Sequence, residues 1–232
     1  MKRIALPMVA VLAGCDGGKG TEPLCEYSTP TGFSDDTYAF HDTNFACEGL
    51  PSKESFRVNG TSFSDFFSSA TALTSLSDSQ VEDAIDSALA SWNRIPAGVN
   101  LSAEVKSSGV VKDDEDNVIV METLSEYELT PARAYRYIYK ESNVSCDIEI
   151  YTSYRPTPSA GGTVIRWAVT DPAPSDGLRL EDTFAHEFGH CLGLDHPGSN
   201  HDDSIMKSWW FRHSARSLSV TDIEALKFLY PL

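Results

Sequence analysis

Basic residues are scarce in this chain. Eighteen Lys and Arg stand against 34 Asp and Glu, a formal net charge of −16. Phosphate binding needs clustered Lys and Arg, so nucleic acid is excluded as a partner class. Long apolar runs are scarce as well. The one candidate lies at the N-terminus and is too short to span a bilayer. Histidine is rare, with 6 in 232 residues, and no internal repeat is visible. What is present is an ordinary hydrophobic content of 41%, enough for one good-sized core or two small subdomains. Three of the six histidines fall in one short stretch, His186 to His196, which reads HEFGHCLGLDH.

The N-terminus has the layout of an export signal. Lys2 and Arg3 form a basic start, Ile4 to Ala13 an apolar run, and Ala13 and Gly14 are small. Residues 1–14 are therefore expected to take no part in the fold. Leu12-Ala13-Gly14-Cys15 resembles the bacterial lipobox. That resemblance implies an exported lipoprotein whose mature chain begins at a lipid-modified Cys15, held at the cell membrane, cell surface or periplasm. An ordinary signal with an incidental cysteine is the alternative. Losing Lys2 and Arg3 lowers Lys+Arg from 18 to 16 against an unchanged 34 acidic residues, a net charge of −18. Such a chain would not adhere to anionic lipid by charge, so the acyl chains would be its only membrane contact.

Without Cys15, four cysteines remain: Cys25, Cys47, Cys146 and Cys191. An even number in an exported protein reads as two disulfides, with three possible pairings.

Residues 15–55 form a tether or N-terminal segment, with Gly17, Gly18, Gly20 and Pro23 near its start. A first strand opens at Ser55–Val58. A helix is predicted over 78–95. Ser77 and Gln80 make a capping box, Val81, Ile85, Ala88, Leu89 and Trp92 share one face, and Pro96 and Gly98 stop it. Strands are expected at 99–106, 117–124, 133–140, 146–152 and 163–169. In the fourth, Cys146, Ile148 and Ile150 face one way and Asp147, Glu149 and Tyr151 the other. Loops are expected at 154–162 and 171–179. The acidic run Asp113 to Asp116 reads as a solvated hairpin tip, with calcium binding a weakly supported alternative. A last helix over 221–230 carries a Thr221/Glu224 capping box and a buried face of Ile223, Leu226 and Leu229.

Leu180 to Leu194 reads as a helix. With Phe184 at zero on the wheel, Phe188, Cys191 and Leu192 fall within about 80° of it, whereas His186 and His190 fall at roughly 200° and 240°. The two imidazoles are one turn apart and can reach one ion from a rigid element. His196 cannot join along a continuous helix, which would carry it about 15 Å from His186. Gly193 can end the helix, because glycine turns the chain through the left-handed region without a Cβ penalty. Three protein nitrogens then leave one position open, the pattern of a catalytic zinc site with a single ion. Glu187 is not needed as a ligand and is placed to act as general base on a metal-activated water.

H-E-x-x-H-x-x-G-x-x-H is the signature of the metzincin metalloproteases. The match is His186, Glu187, His190, Gly193 and His196. Metzincins also carry a methionine turn, and Ser204-Ile205-Met206 follows His196 at a plausible distance. The closing LSVTDIEALKFLY and the stretch EDTFAHEFGHCLGLDH resemble the matrixin branch. The resemblance implies an α/β (α+β) domain over residues 56–232. It comprises a twisted, mostly parallel sheet over an active-site helix and a backing helix, with an upper subdomain to about 193 and a lower one over 194–232. It also implies a polypeptide substrate extended along an edge strand, for which 163–169 is the candidate. Trp209 and Trp210 are candidate pocket walls or core residues. Ser208 removes the extra tyrosine ligand some metzincins place there. The only histidine upstream of the helix is His41, so a second, structural zinc is not expected. No matrixin cysteine switch is present; Cys47 in FACEG is a faint echo of one and is assigned to a disulfide instead. The stretch 107–144 looks like an insertion. His201 and His213 read as surface or packing residues, Asp195 as one residue off the ligand pattern, and Glu224 as part of a helix cap.

The function expected is a zinc endopeptidase anchored at the envelope and acting as a monomer. The alternatives are a non-catalytic lipoprotein whose zinc stabilises a binding module, and a zinc hydrolase of a non-protein envelope substrate. Cys191 lies on the apolar side of the helix and Cys146 on the covered face of its strand. A Cys146–Cys191 disulfide is therefore predicted, leaving Cys25–Cys47 to pin the N-terminal segment.

Overall fold

Extended segments rich in Val, Ile, Phe and Tyr pair into one sheet, and two helices with apolar stripes cover one of its faces. The structure is a computed structural model. It describes residues 11–13, 53–60, 63–67, 75–106, 110, 112, 116–122, 131–139, 143–151, 166–169, 177–197, 203–207, 217–230 and 232. In chain order the elements are β1 (Val11–Ala13), β2 (Lys53–Asn59), α1 (Phe63–Phe66), α2 (Asp78–Asn93), β3 (Asn100–Lys106), β4 (Asn117–Glu122), β5 (Ala132–Tyr139), β6 (Asn143–Tyr151), β7 (Arg166–Ala168), β8 (Gly177–Arg179), α3 (Leu180–Cys191) and α4 (Val220–Leu229).

The main sheet runs β1-β5-β6-β4-β2-β3. β2 pairs in parallel with β3 and with β4, and β4 in parallel with β6. β5 is antiparallel to β6, with Ala134 opposite Ile148 and Arg136 opposite Cys146. β4 is therefore central, which explains why Val118, Ile119 and Val120 are all buried. The stretch 107–144 is thus not an excursion: it supplies β4, all of β5 and the first two residues of β6.

One sheet face presents Phe56, Val58, Ile119, Ala132, Ala134, Ile148 and Ile150 to the core. α2 and α3 pack there. Phe56 meets Phe188 of α3 edge to face at 5.0 Å, and the Trp92 Nε1–H of α2 donates to the Ala185 carbonyl of α3 at 2.9 Å. Cys146 of β6 is bonded to Cys191 of α3, the predicted pairing. The opposite face carries polar contacts beside the buried Val118 and Val120. Lys112 Nζ reaches Glu122 and Glu149, each at 2.6 Å, and the Tyr151 hydroxyl donates to Glu149.

Local signals behave unevenly. Ser77 and Gln80 form the expected capping box on α2, which ends two residues earlier than predicted. Asn93 closes the end by pairing its side-chain amide with Leu101 N and O, both at 2.7 Å. The α4 cap differs from expectation. It is Ser219 with Asp222, not Thr221 with Glu224, and the helix begins one residue earlier. The sequence offers both registers, and burial decides: Asp222 is fully buried while Glu224 is exposed. The expected strand at 163–169 is realised as β7. It lies in a separate two-stranded parallel sheet with β8, so the antiparallel strand beside α3 in the main sheet is β5 instead. β8 falls in what reads as a loop; its pairing with β7, not its own pattern, makes it a strand. Val11–Ala13, inside the expected export signal, also joins the sheet, antiparallel to Ala134–Arg136. An unpaired edge offers backbone groups that any extended segment of the chain can satisfy. Cys15, Cys25, Cys47 and the rest of the tether up to residue 52 lie outside the described residues, while residues 53–55, also assigned to the tether, open β2.

The Cys146–Cys191 bond closes a sequence separation of 45. Chain entropy makes such a loop worth on the order of 4 kcal/mol in the unfolded state. Replacing both cysteines by Ala should lower the unfolding free energy by about 2–4 kcal/mol, read from urea denaturation. Peptide mapping that finds either thiol free would contradict the bond itself.

Candidate metal centre

α3 begins without a side-chain cap on its N-cap residue, Arg179. Glu181 and Asp182 in the first turn suit the positive helix end instead, and both pair with the Arg179 guanidinium. From Thr183 onward every residue of the helix is buried. Its apolar side faces the sheet, so the His186 and His190 side faces the lower part of the molecule.

The helix ends in a Schellman turn. Leu194 N donates to Gly189 O and Gly193 N to His190 O, both at 2.9 Å, with Gly193 at φ +94°. This turn does two things. It swings His196 back so that its Nε2 lies 3.3 Å from His186 Nε2. It also aims the Leu194 carbonyl at His190 Nδ1, at 2.8 Å. The helix stops at Cys191 rather than 194, and Gly193 is the breaker as expected.

A second carbonyl serves His186. Its Nδ1 lies 2.7 Å from Ile205 O, in the turn that carries Met206. Met206 is fully buried beneath α3. A Cβ added at Gly189 would meet Met206 Sδ at 2.2 Å and Trp92 Cζ2 at 2.9 Å, so only glycine lets the turn come this close. The turn is tied down by Asp222 of α4. Ser204 Oγ donates to Asp222 Oδ1 at 2.6 Å, Ile205 N donates to Oδ2 at 3.1 Å, and Met206 N donates to Ser204 Oγ at 3.0 Å.

The chemistry of these donors decides what fits between them. A carbonyl only accepts, so Nδ1 of His186 and of His190 must each carry the proton. Burial holds the His186 imidazole down to about 4, against the raising influence of the Ile205 carbonyl, Asp222 and Asp195. The ring is therefore neutral and its Nε2 is a bare lone pair. The Nε2 atoms of His186 and His190 are 3.0 Å apart, and lone pairs at that distance repel unless a cation sits between them. Nitrogens bound to one tetrahedral zinc at about 2.0–2.1 Å lie roughly 3.3–3.4 Å apart, close to the spacing here. Ligand atoms of His186, His190 and His196 all lie within 4.8 Å of one another. The three residues fit a zinc ion, with main-chain carbonyls fixing two of the tautomers.

Glu187 is fully buried, and among the described residues its carboxyl oxygens have no side-chain partner and only a loose contact with the Ala134 backbone. Burial pushes it up to about 8, against the lowering influence of the Ala134 backbone and the Arg133 charge. It therefore stands beside β5, outside the histidine cluster. Asp195 accepts from His196 N at 2.7 Å and is not in the metal-competent group, and Glu224 is exposed on α4. Trp209, Trp210, His201 and His213 lie outside the described residues. Asp116, at the end of the acidic run, pairs with Arg57, while Asp113, Asp114 and Glu115 lie outside the described residues. Sequence reasoning missed Ser204 and Asp222. The signal was present in the S-x-x-D spacing of Ser219 and Asp222, read two residues out of register.

Because Gly193 sits at positive φ, Gly193→Ala should cost about 1–2 kcal/mol of stability in urea unfolding. It should also weaken zinc binding, since the Leu194 carbonyl and His196 move together. Unchanged zinc affinity in a chelator competition would show that the turn does not set the ligand geometry.

No curated protein matches the chain. The family model for the matrixin peptidases matches residues 103–231, more than half of the 232 residues and all of the site just described. With three imidazoles converged over a buried methionine turn, the chain belongs to the matrixin family.

Proposed function

We propose that this matrixin is a zinc-dependent endopeptidase in which Glu187 is the general base. The observation that carries the proposal is a buried carboxyl without a side-chain hydrogen-bond partner, placed next in sequence to a metal-competent histidine cluster. A site that only stabilised a binding module would need no such group, since a buried unpartnered carboxyl costs stability. Zinc, when held by His186, His190 and His196, supplies Lewis acidity toward a water and toward the scissile carbonyl. Glu187 accepts the proton that the attacking water releases and returns it to the leaving amine. β5 orients the substrate: a peptide added antiparallel along this strand pairs with its backbone beside Ala134, whose main chain lies near Glu187. The antiparallel pairing of Val11–Ala13 with Ala134–Arg136 supports this geometry. This edge replaces 163–169 as the proposed substrate strand.

Glu187→Ala should lower kcat for peptide cleavage by about 10²–10⁴-fold while leaving the bound zinc in place. Equal activity in the variant, or no activity in zinc-loaded and fully processed protein, would sink the peptidase reading. Cleavage of an envelope component other than protein would redirect it.

We propose further that Cys15 is lipidated and anchors the chain at the envelope. The lipobox-like LAGC supports this, and among the described residues no helix is long and apolar enough to cross a membrane. Processing before Cys15 would also remove Val11–Ala13 from β5 and leave that edge open to substrate. Cys15→Ser should move the protein from the membrane pellet to the soluble fraction after cell breakage. Continued membrane association would refute the anchor.

A further inference from the structure

We propose that Ser204 and Asp222 are positioning residues for the metal ligand His186, acting through the Ile205–Met206 peptide. This rests on the zinc reading above. The atoms form one continuous chain. His186 Nδ1–H donates to Ile205 O at 2.7 Å. The other end of that same peptide unit, Met206 N–H, donates to Ser204 Oγ at 3.0 Å. Ser204 Oγ–H donates in turn to Asp222 Oδ1 at 2.6 Å. Every donor in the chain points away from His186 and toward the carboxylate.

Direction is what gives the chain a chemical effect. Asp222 receives four donors on its two oxygens: Ser204 Oγ, Ile205 N, Ser219 N and Ser219 Oγ. It is thus an acceptor-only group, and it is fully buried. A negative terminus polarises the Ser204 hydroxyl and makes its oxygen a better acceptor for Met206 N–H. That polarises the Ile205–Met206 amide and makes the Ile205 oxygen a stronger acceptor for His186. Hydrogen bonds in series strengthen one another in this way, most of all where water is excluded. The imidazole gains electron density at Nε2, the atom that faces the metal. Partners of this kind, one shell removed from the ion, set ligand orientation and basicity. His190 has a carbonyl of its own at Leu194.

Ser219 provides the control. It bonds the same carboxylate, and its hydroxyl caps α4 by accepting from Asp222 N, but it is not on the path to His186. The test is zinc affinity of the full chain, measured by competition with a chromophoric chelator where circular dichroism shows each variant folded. Ser204→Ala breaks the chain. Asp222→Asn keeps the shape and removes the charge. Each should weaken zinc about tenfold or more, whereas Ser219→Ala should lower the thermal midpoint and leave zinc affinity within about twofold. The proposal is overturned by an unchanged affinity in either Ser204→Ala or Asp222→Asn, or by a comparable loss in Ser219→Ala, which would mark the cluster as structural only. Should Ser204→Ala fail to fold, Asp222→Asn against Ser219→Ala decides it. A wild-type chain that binds no zinc would overturn the functional reading, and the relay with it, and is told apart by the wild-type titration alone.

Discussion

His186 and His190 each commit the Nδ1 proton to a main-chain carbonyl, and in their neutral forms this turns two Nε2 lone pairs into the same small space. The fold is arranged to impose that condition. One carbonyl, Leu194, is delivered by the turn that ends α3; the other, Ile205, by the separate turn that carries Met206. Neither comes from the helix that carries the histidines. The geometry therefore exists only when the helix end, the methionine turn and the start of α4 are all in place. Metal affinity and folding of the segment from the methionine turn to α4 are coupled for this reason.

α3 has almost no freedom to relieve that condition. Phe184 and Phe188 are in the core, Cys191 is covalently joined to β6, and Gly189 lies against Met206 and Trp92. Rotation about the helix axis would break a different contact on each side. A shift along the axis would pull Trp92 Nε1 from Ala185 O and Cys191 from Cys146. Histidine placement is thus set by the parts of α3 that do no chemistry. A catalytic constellation needs its supporting residues locked to a few tenths of an ångström, and here the lock is a disulfide, an indole and a missing Cβ.

Much of this was legible in the residues because the relevant signals are local. The i, i+4 histidines, the glycine three residues on and the apolar side bearing Cys191 are consequences of helix period, and period can be read. The alternation around Cys146 placed that cysteine on the covered sheet face, which was enough to pair it. What escaped was non-local. β8 has no pattern of its own and exists because β7 is beside it. The central position of β4 depends on pairing with β2 and β6, both far away in sequence, so its stretch read as an insertion. The α4 cap was misplaced by two residues because Ser219/Asp222 and Thr221/Glu224 are equivalent as spacings. Only the burial of Asp222 against Ser204 and Ile205 separates them. For the same reason the support of His186 was invisible: its partner is a backbone oxygen, which no residue type announces.

The overall charge bears on metal choice in a way that composition alone misreads. A chain at −16 raises the local concentration of every cation, calcium and magnesium included, so long-range attraction does not select zinc. Selection has to come from the donor set. Calcium and magnesium take oxygen ligands, and the two fully buried carboxyl groups nearest the cluster are each withheld from that role. Asp222 is filled by four donors from the methionine turn and the helix cap, and Glu187 stands on the β5 side, apart from the three nitrogens. What remains for an ion is nitrogen, in a neutral form that burial enforces at His186. Imidazole donors in a close triangle with one side open favour zinc over the hard cations that an acidic surface would otherwise gather.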